Sequence, residues 1–79
     1  GVTEEQNETL SVFPNPTRGN VQIASQAAVE QVELCDLSGK VIETFTENVT
    51  KLQLNAAKGT YLLKVYTNQE VQVRKLIIY

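Results

Sequence analysis

Histidine is absent from this 79-residue sequence, and so are methionine and tryptophan. The lack of histidine removes the commonest general base and the commonest metal ligand of proteins. Catalysis by Asp, Glu, Lys or Ser stays formally open, but no pattern in the sequence groups those residues. We therefore expect that the chain is not an enzyme and that it holds no metal and no cofactor.

Cysteine and positive charge are scarce as well. Cys35 is the only cysteine, so no internal disulfide is possible, and with no histidine to activate it the thiol is expected to be an inert apolar group. The formal net charge is −2, and the basic residues are scattered apart from Arg74-Lys75. This charge balance provides no basic field for nucleic acid or an anionic membrane. No apolar run approaches the roughly 20 residues of a membrane-spanning helix.

The length allows one small domain, which buries only about 60–65% of the surface that its unfolded chain exposes. A content of 42% hydrophobic and 20% charged residues is typical of a globular chain. Residues 1–9 are polar, acidic and aperiodic, which predicts a flexible linker from a preceding protein. The domain itself is predicted to span residues 10–79.

Short runs with the period of a β-strand fill the rest of the sequence, and turn residues separate them. No segment of helical period is long enough to matter. This pattern predicts an all-β fold, a seven-stranded antiparallel immunoglobulin-like β-sandwich. The predicted strands cover residues 10–13, 20–24, 29–37, 40–47, 49–54, 61–66 and 70–79, with Val32, Leu34, Leu52 and Leu54 facing inward.

Residues 58–79 form one predicted hairpin with Asn68-Gln69 at its turn. Tyr66 lies on the face opposite to Tyr61 and belongs either to a second core layer or to a contact surface. The return strand ends in Leu76-Ile77-Ile78, so at least one apolar residue lies on each face. Either both faces are covered there, or apolar surface is presented to a partner at the end of the chain.

Several positions are predicted from turn chemistry. Pro14-Asn15-Pro16 ends the first strand in a stiff bend, because proline cannot donate a ladder hydrogen bond. Asp36 is expected to accept hydrogen bonds from the amides of the turn that contains Gly39. Gly59 is expected for its backbone angle, and Tyr61 as a core residue whose hydroxyl reaches an edge.

Four blocks of sequence resemble one known family in their order and spacing. They are Phe13-Pro14-Asn15-Pro16-Thr17-Arg18-Gly19, residues 32–41 with Asp36-Leu37-Ser38-Gly39-Lys40, residues 59–65, and Arg74-Lys75-Leu76-Ile77-Ile78. Together they resemble the type A C-terminal sorting domain of the type IX (Por) secretion system over nearly all of residues 10–79. Cys35 departs from the pattern, because the family more often has an aromatic or aliphatic residue there.

The resemblance implies a C-terminal secretion signal that directs a cargo protein through the outer-membrane type IX translocon. A cysteine-peptidase sortase then removes the domain by cutting in the preceding linker as the cargo is attached to the cell surface, and residues 1–9 would hold or adjoin the cleavage site. The implied partners are translocon components and the sortase, with no nucleic acid and no small-molecule substrate. The implied location is the periplasm in transit, then the outer-membrane surface or the extracellular space. The cargo, for example a secreted peptidase, can be an enzyme although the domain is not.

The resemblance also assigns roles to residues. The translocon is implied to recognise Lys75, Leu76, Ile77, Ile78 and Tyr79. Backbone pairing with this edge strand is the expected mode, although the same residues also fit a last core strand. Pro14-Asn15-Pro16 either forms the edge bend or contacts the translocon directly. The family motif positions expected to be mainly structural are Pro14, Asn15, Pro16, Gly19, Asp36, Gly39, Lys40, Gly59 and Tyr61.

Two further hypotheses concern other kinds of binding. An accessory β-sandwich that binds carbohydrate or mediates adhesion would use Tyr66 and its neighbours, but the chain has few aromatic residues for such a platform. Self-association into a homodimer through the terminal edge strand is also expected, because that strand carries apolar residues on both faces.

Overall fold

Alternating apolar and polar residues build seven β-strands and no helix within residues 10–68 and 70–79, which are the residues that the structure, a computed structural model, describes. The all-β class and the number of strands are as predicted. The strands are β1 (Leu10–Phe13), β2 (Asn20–Ser25), β3 (Val29–Cys35), β4 (Val41–Phe45), β5 (Lys51–Gln53), β6 (Gly59–Thr67) and β7 (Val71–Ile78). The predicted linker, residues 1–9, lies outside the described residues.

The strands form two antiparallel sheets. One sheet has the order β1-β2-β5, and the other has the order β4-β3-β6-β7. The long pairing of β6 with β7 confirms the predicted C-terminal hairpin, from Gly59 opposite Ile78 to Tyr66 opposite Val71. The Thr67 amide donates to the Glu70 carbonyl at 2.9 Å and closes its turn, while Gln69 lies outside the described residues.

One hydrophobic core receives side chains from both sheets. The first sheet contributes Leu10, Val21, Ile23 and Leu52, with Leu54 just beyond β5, and the second contributes Val32, Leu34, Leu63, Val65, Leu76 and Ile78. The residues predicted to face inward on β3 and around β5 are therefore buried as expected. Tyr61 packs against this core, and its hydroxyl donates to the Ala57 carbonyl at 2.5 Å, which confirms its predicted placement.

Four predicted strands, at 29–37, 40–47, 49–54 and 70–79, are longer than the observed β3, β4, β5 and β7. Turn hydrogen bonds account for the difference, since they use backbone groups that a longer ladder would need. The Asp36 amide donates to the Lys40 carbonyl at 2.9 Å, and the Lys51 amide donates to the Asn48 carbonyl at 3.1 Å. Asn48 takes a positive φ of 52°, a conformation that asparagine tolerates.

The structure contains, in its described part, no helix long and apolar enough to cross a membrane.

Candidate functional site

The last strand divides the predicted recognition residues between the core and the surface. Leu76 and Ile78 are buried, because alternate side chains of β7 point toward the opposite sheet. Lys75, Ile77 and Tyr79 are exposed, with 40% of Ile77 and 60% of Tyr79 accessible. The segment is thus a core strand that also has an exposed face. In the folded domain only the exposed three side chains can touch a partner.

Residues Pro14–Thr17, which we call the proline segment, lie along the outer edge of β7. The bonds Phe13–Pro14 and Asn15–Pro16 are both cis. The Asn15 side-chain amide donates to the Lys75 carbonyl at 2.8 Å, and its oxygen accepts from the Ile77 amide at 3.1 Å. The Thr17 amide donates to the Ile77 carbonyl at 2.8 Å, and the Tyr79 amide donates to the Thr17 carbonyl at 2.9 Å. Four hydrogen bonds thus cover this end of the edge.

Thr17 anchors the proline segment through a buried side chain. Its side chain is buried, and its hydroxyl donates to the Asn20 carbonyl at 2.8 Å and accepts from the Gly19 amide at 3.1 Å. Gly19 has a φ of 130°, and a Cβ there would lie 3.2 Å from the Leu54 carbonyl oxygen, so a side chain is disfavoured on both counts. The buried threonine was not singled out from the sequence, where it reads as an ordinary turn residue.

The proline segment changes the interpretation of the predicted bend. It ends β1 as expected, and in addition it covers an edge that belongs to β7, a strand more than fifty positions away. Any partner that paired with the backbone of residues 75–79 would first have to displace Asn15 and Thr17. Backbone capture at the extreme C-terminus is therefore blocked in this conformation.

The preceding part of the β7 edge is open. By the alternation of an antiparallel ladder, the outward backbone groups of this part belong to Val71 and Val73. Within the described residues, their only outward partner is the Arg74 side chain, whose Nη1 donates to the Val73 carbonyl at 3.2 Å. Both valine side chains are about half exposed, at 50% and 46%.

Exposed apolar side chains therefore run along one face of the last strand. We call Val71, Val73, Ile77 and Tyr79 the apolar row. Its members are odd-numbered and share the face that points away from the core, with Lys75 between them. At its far end the Arg18 guanidinium lies 5.3 Å from the centre of the Tyr79 ring, beside a shallow groove lined by Pro14, Pro16 and Asn20.

Arg74 connects the two sheets at this edge. Its Nη2 donates to the Leu10 carbonyl of β1 at 3.3 Å and to the Gln72 side-chain oxygen at 2.9 Å. The guanidinium thus joins β7 of one sheet to β1 of the other. Such a charge-assisted hydrogen bond helps to hold the edge in place.

A polar cluster occupies the outer face of the neighbouring strands. The Tyr66 hydroxyl donates to Glu33 Oε1 at 2.8 Å, and the Gln31 side-chain amide donates to Glu33 Oε2 at 3.2 Å. The hydrogen bond to Glu33, followed by desolvation, raises the pKa of Tyr66. Tyr66 is half-buried on this face, so it combines features of the two predicted environments. Cys35 is fully buried, and desolvation is the main reason that the pKa of its thiol is raised.

The turn between β3 and β4 confirms the predicted role of Asp36. Its Oδ1 accepts from the Ser38 hydroxyl at 2.6 Å, the Ser38 amide at 2.9 Å and the Lys40 amide at 3.0 Å. These hydrogen bonds, led by that of the Ser38 hydroxyl, lower the pKa of Asp36. Gly39 has a φ of 96° in this turn, and Gly59 has a φ of 156°, in agreement with the backbone role predicted for it.

The described residues bring together no group of three or more His, Cys, Asp or Glu side chains that could hold a metal ion.

Comparison with protein families matches residues 11–79 to the family described as the secretion system C-terminal sorting domain. The chain belongs to this family. The match covers all seven strands except the first residue of β1, and it includes the proline segment, the Asp36 turn and the apolar row. A comparison with curated proteins returned no match. As a type IX sorting domain, the chain marks an attached protein for export and interacts with the secretion machinery.

Proposed function

We propose that the outer-membrane translocon recognises the folded sorting domain through the apolar row of β7. The observation that carries this proposal is that Ile77 and Tyr79 stay exposed at the end of the chain while their neighbours Leu76 and Ile78 are buried. Exposed apolar side chains in a row on an edge strand are unusual for a small soluble domain and are typical of an interaction site. Lys75 adds a positive charge within the row.

In this proposal the partner reads side chains, not backbone, at the C-terminus. Asn15 and Thr17 already bond four outward backbone groups of the tail, so pairing a new strand there would cost these four hydrogen bonds. The proline segment serves to hold the tail in the recognised conformation. Pro14, Asn15 and Pro16 then affect recognition indirectly, by holding the tail in place. This role agrees with the predicted bend and not with direct contact between these residues and the translocon.

Cleavage by a cysteine-peptidase sortase would follow export, after transit through the periplasm. We place the cut ahead of Leu10, in or next to residues 1–9, because Leu10 is buried and the residues after it pair with β2, so they cannot enter the active-site cleft of a protease. In this proposal the domain is the export signal and the substrate of the sortase, and it is not an enzyme. Mass spectrometry of the released domain tests this, and a product that begins inside β1 would contradict it.

We also infer an immunoglobulin-like sandwich from the strand order. In that fold the first, second and fifth strands share one sheet, while the third, sixth and seventh share the other. The sheets β1-β2-β5 and β4-β3-β6-β7 follow this division, with β4 placed beside β3 as in the variable-type arrangement. An experimental structure in which β3 or β6 paired with a strand of the β1-β2-β5 sheet would overturn the assignment.

The export test uses two isoleucines of equal exposure in the same sheet. A reporter fused ahead of Gly1 is followed in a host with type IX secretion, carrying either Ile77→Lys on β7 or Ile42→Lys on β4. The two side chains are 40% and 42% exposed, so both variants are expected to fold. We expect Ile77→Lys to reduce surface delivery about tenfold or more, since a lysine buried in an apolar interface is costly, and Ile42→Lys to leave it unchanged.

Circular dichroism on both purified domains controls for folding. Equal delivery of both variants would show that the apolar row is not the recognised surface. The carbohydrate-binding alternative gains no support from the family match, and Tyr66, on which it relied, is half-buried with its hydroxyl bonded to Glu33.

A further inference from the structure

Residues 70–74, which we call the open stretch, are the part of the final strand that the proline segment leaves uncovered. The cover begins at the Lys75 carbonyl, where Asn15 donates its hydrogen bond. Before that point the outward amides and carbonyls of Val71 and Val73 lack a backbone partner among the described residues. Such groups are a template for another strand.

The sequence of the open stretch, Glu70-Val71-Gln72-Val73-Arg74, is complementary to itself when read backwards. An antiparallel copy centred on Gln72 would place Val71 opposite Val73 and Glu70 opposite Arg74, twice each. Cross-strand pairs of β-branched residues and of opposite charges are both favourable. No net charge accumulates in the ladder, since each glutamate meets one arginine.

Backbone geometry agrees with this register. Val71 and Val73 are the residues whose amides and carbonyls point outward, and this register sets each of them opposite the other in the copy. Each such pair exchanges two hydrogen bonds, so the ladder gains four in total. A register shifted by two residues toward the C-terminus would place Val71 opposite Lys75. The Lys75 carbonyl would then have to accept from the new strand, but it already accepts a hydrogen bond from Asn15. The proline segment therefore selects the register.

We propose that the open stretch is a self-association surface, at which a second copy of this chain pairs antiparallel to form a two-fold symmetric dimer with a continuous eight-stranded sheet. A two-fold axis at Gln72 makes the interface isologous, as in most homodimers. The Arg74 guanidinium, now 3.2 Å from the Val73 carbonyl, gives up that contact to the amide of the opposing Val71 and turns to the opposing Glu70. This inference does not depend on which partner recognises the tail.

The contact area of five residues a side is small, so the dimer is weak. Sedimentation equilibrium on the full 79-residue chain is expected to show an average mass that rises with concentration between about 10 µM and 1 mM. A constant monomer mass up to the top of this range overturns the proposal.

Charge exchange tests the register. Glu70→Arg places like charges opposite each other at both ends of the ladder and is expected to raise the dissociation constant about tenfold. The double variant Glu70→Arg with Arg74→Glu restores opposite charges and should return the constant to within about threefold of the original value. Weakening by the single variant without recovery in a folded double variant would overturn the pairing of Glu70 with Arg74.

Cross-linking provides a readout that does not depend on Arg74. Gln72 lies on the proposed axis, so Gln72→Cys in a Cys35→Ala background is expected to form an intermolecular disulfide under mild oxidation, because directly opposed strand residues have a suitable Cα separation. Gln53→Cys, on the edge strand β5, is the matched control and should cross-link much more slowly. Equal rates for the two variants would overturn the proposed interface.

Discussion

Asn15 shows how one side chain replaces a missing strand. A carboxamide has the donor and acceptor of a peptide group, and here it supplies both to adjacent outward positions of β7. Proline on each side of Asn15 removes two amides that could have formed ladder bonds of their own. The segment thus covers an edge without extending the sheet, which limits further strand addition at the C-terminus.

Replacing Asn15 with alanine removes both side-chain hydrogen bonds. Because the freed groups at Lys75 and Ile77 are reached by water, we expect a loss of about 1–2 kcal/mol in the free energy of unfolding. The Ile77 amide should exchange with solvent faster, since it loses its only outward acceptor in the described residues. Urea unfolding and amide hydrogen exchange measure the two effects.

Asn55→Ala is the control for this substitution, because Asn55 is also exposed and, among the described residues, bonds only through its backbone amide, to Glu43. It should leave both the stability and the exchange rate at Ile77 almost unchanged. If Asn15→Ala did not accelerate exchange at Ile77, the proline segment would not be the cover of this edge.

At the scale of the element, residues in the C-terminal half of β7 determine which face of the strand points to the core. Leu76 and Ile78 enter the core, which forces Val71 and Val73 to the exposed face and brings Gln72 and Arg74 toward the inside. A strand has a strict period of two, so its two halves cannot both bury their aliphatic residues. The face that carries Leu76 and Ile78 is buried, and Val71 and Val73 lie at the surface.

Adjacent alanine substitutions test this orientation. Leu76→Ala should cost about 2–5 kcal/mol, because it removes a fully buried side chain and leaves a cavity. Ile77→Ala should cost less than about 1 kcal/mol, because its side chain is 40% exposed. Chemical unfolding of both variants provides the comparison, and a larger loss for Ile77→Ala would reverse the assigned faces.

For the whole molecule, the last strand is where separate parts of the chain converge. Its buried face completes the core, its edge binds the proline segment, and Arg74 bonds to the first strand. A chain of this size buries little surface, so the loss of one core strand is a large fraction of its stability. The part that the translocon is proposed to read is therefore also the part that holds the fold together.

Truncation after Arg74 is expected to unfold the domain, because it deletes Leu76 and Ile78 from the core and the acceptors that Asn15 and Thr17 use. Truncation after Ile78 removes only Tyr79 and should leave a folded domain. Circular dichroism and thermal unfolding distinguish the two. A cooperative transition in the shorter chain would show that the tail is dispensable for folding, and an export defect could then be assigned directly to recognition.

Local patterns in the sequence determined the all-β class, the seven strands, the C-terminal hairpin and the Asp36 turn, and the resemblance of its four blocks indicated the family. These features depend on contacts between near neighbours, on a period of two, or on short motifs, all of which are present in the linear order of residues. Strand ends were less accurate, since turn hydrogen bonds compete with the ladder for the same backbone groups.

Only the tertiary structure decided which edges are covered and which remain open. The bond from Asn15 to Lys75 joins positions sixty residues apart, and nothing local to either position specifies it. The same holds for the exposed orientation of Val71 and Val73, because an alternating pattern defines two faces but not which of them meets the opposite sheet. That choice was made by the core, which has room for only one of the two sets of β7 side chains and receives Leu76 and Ile78.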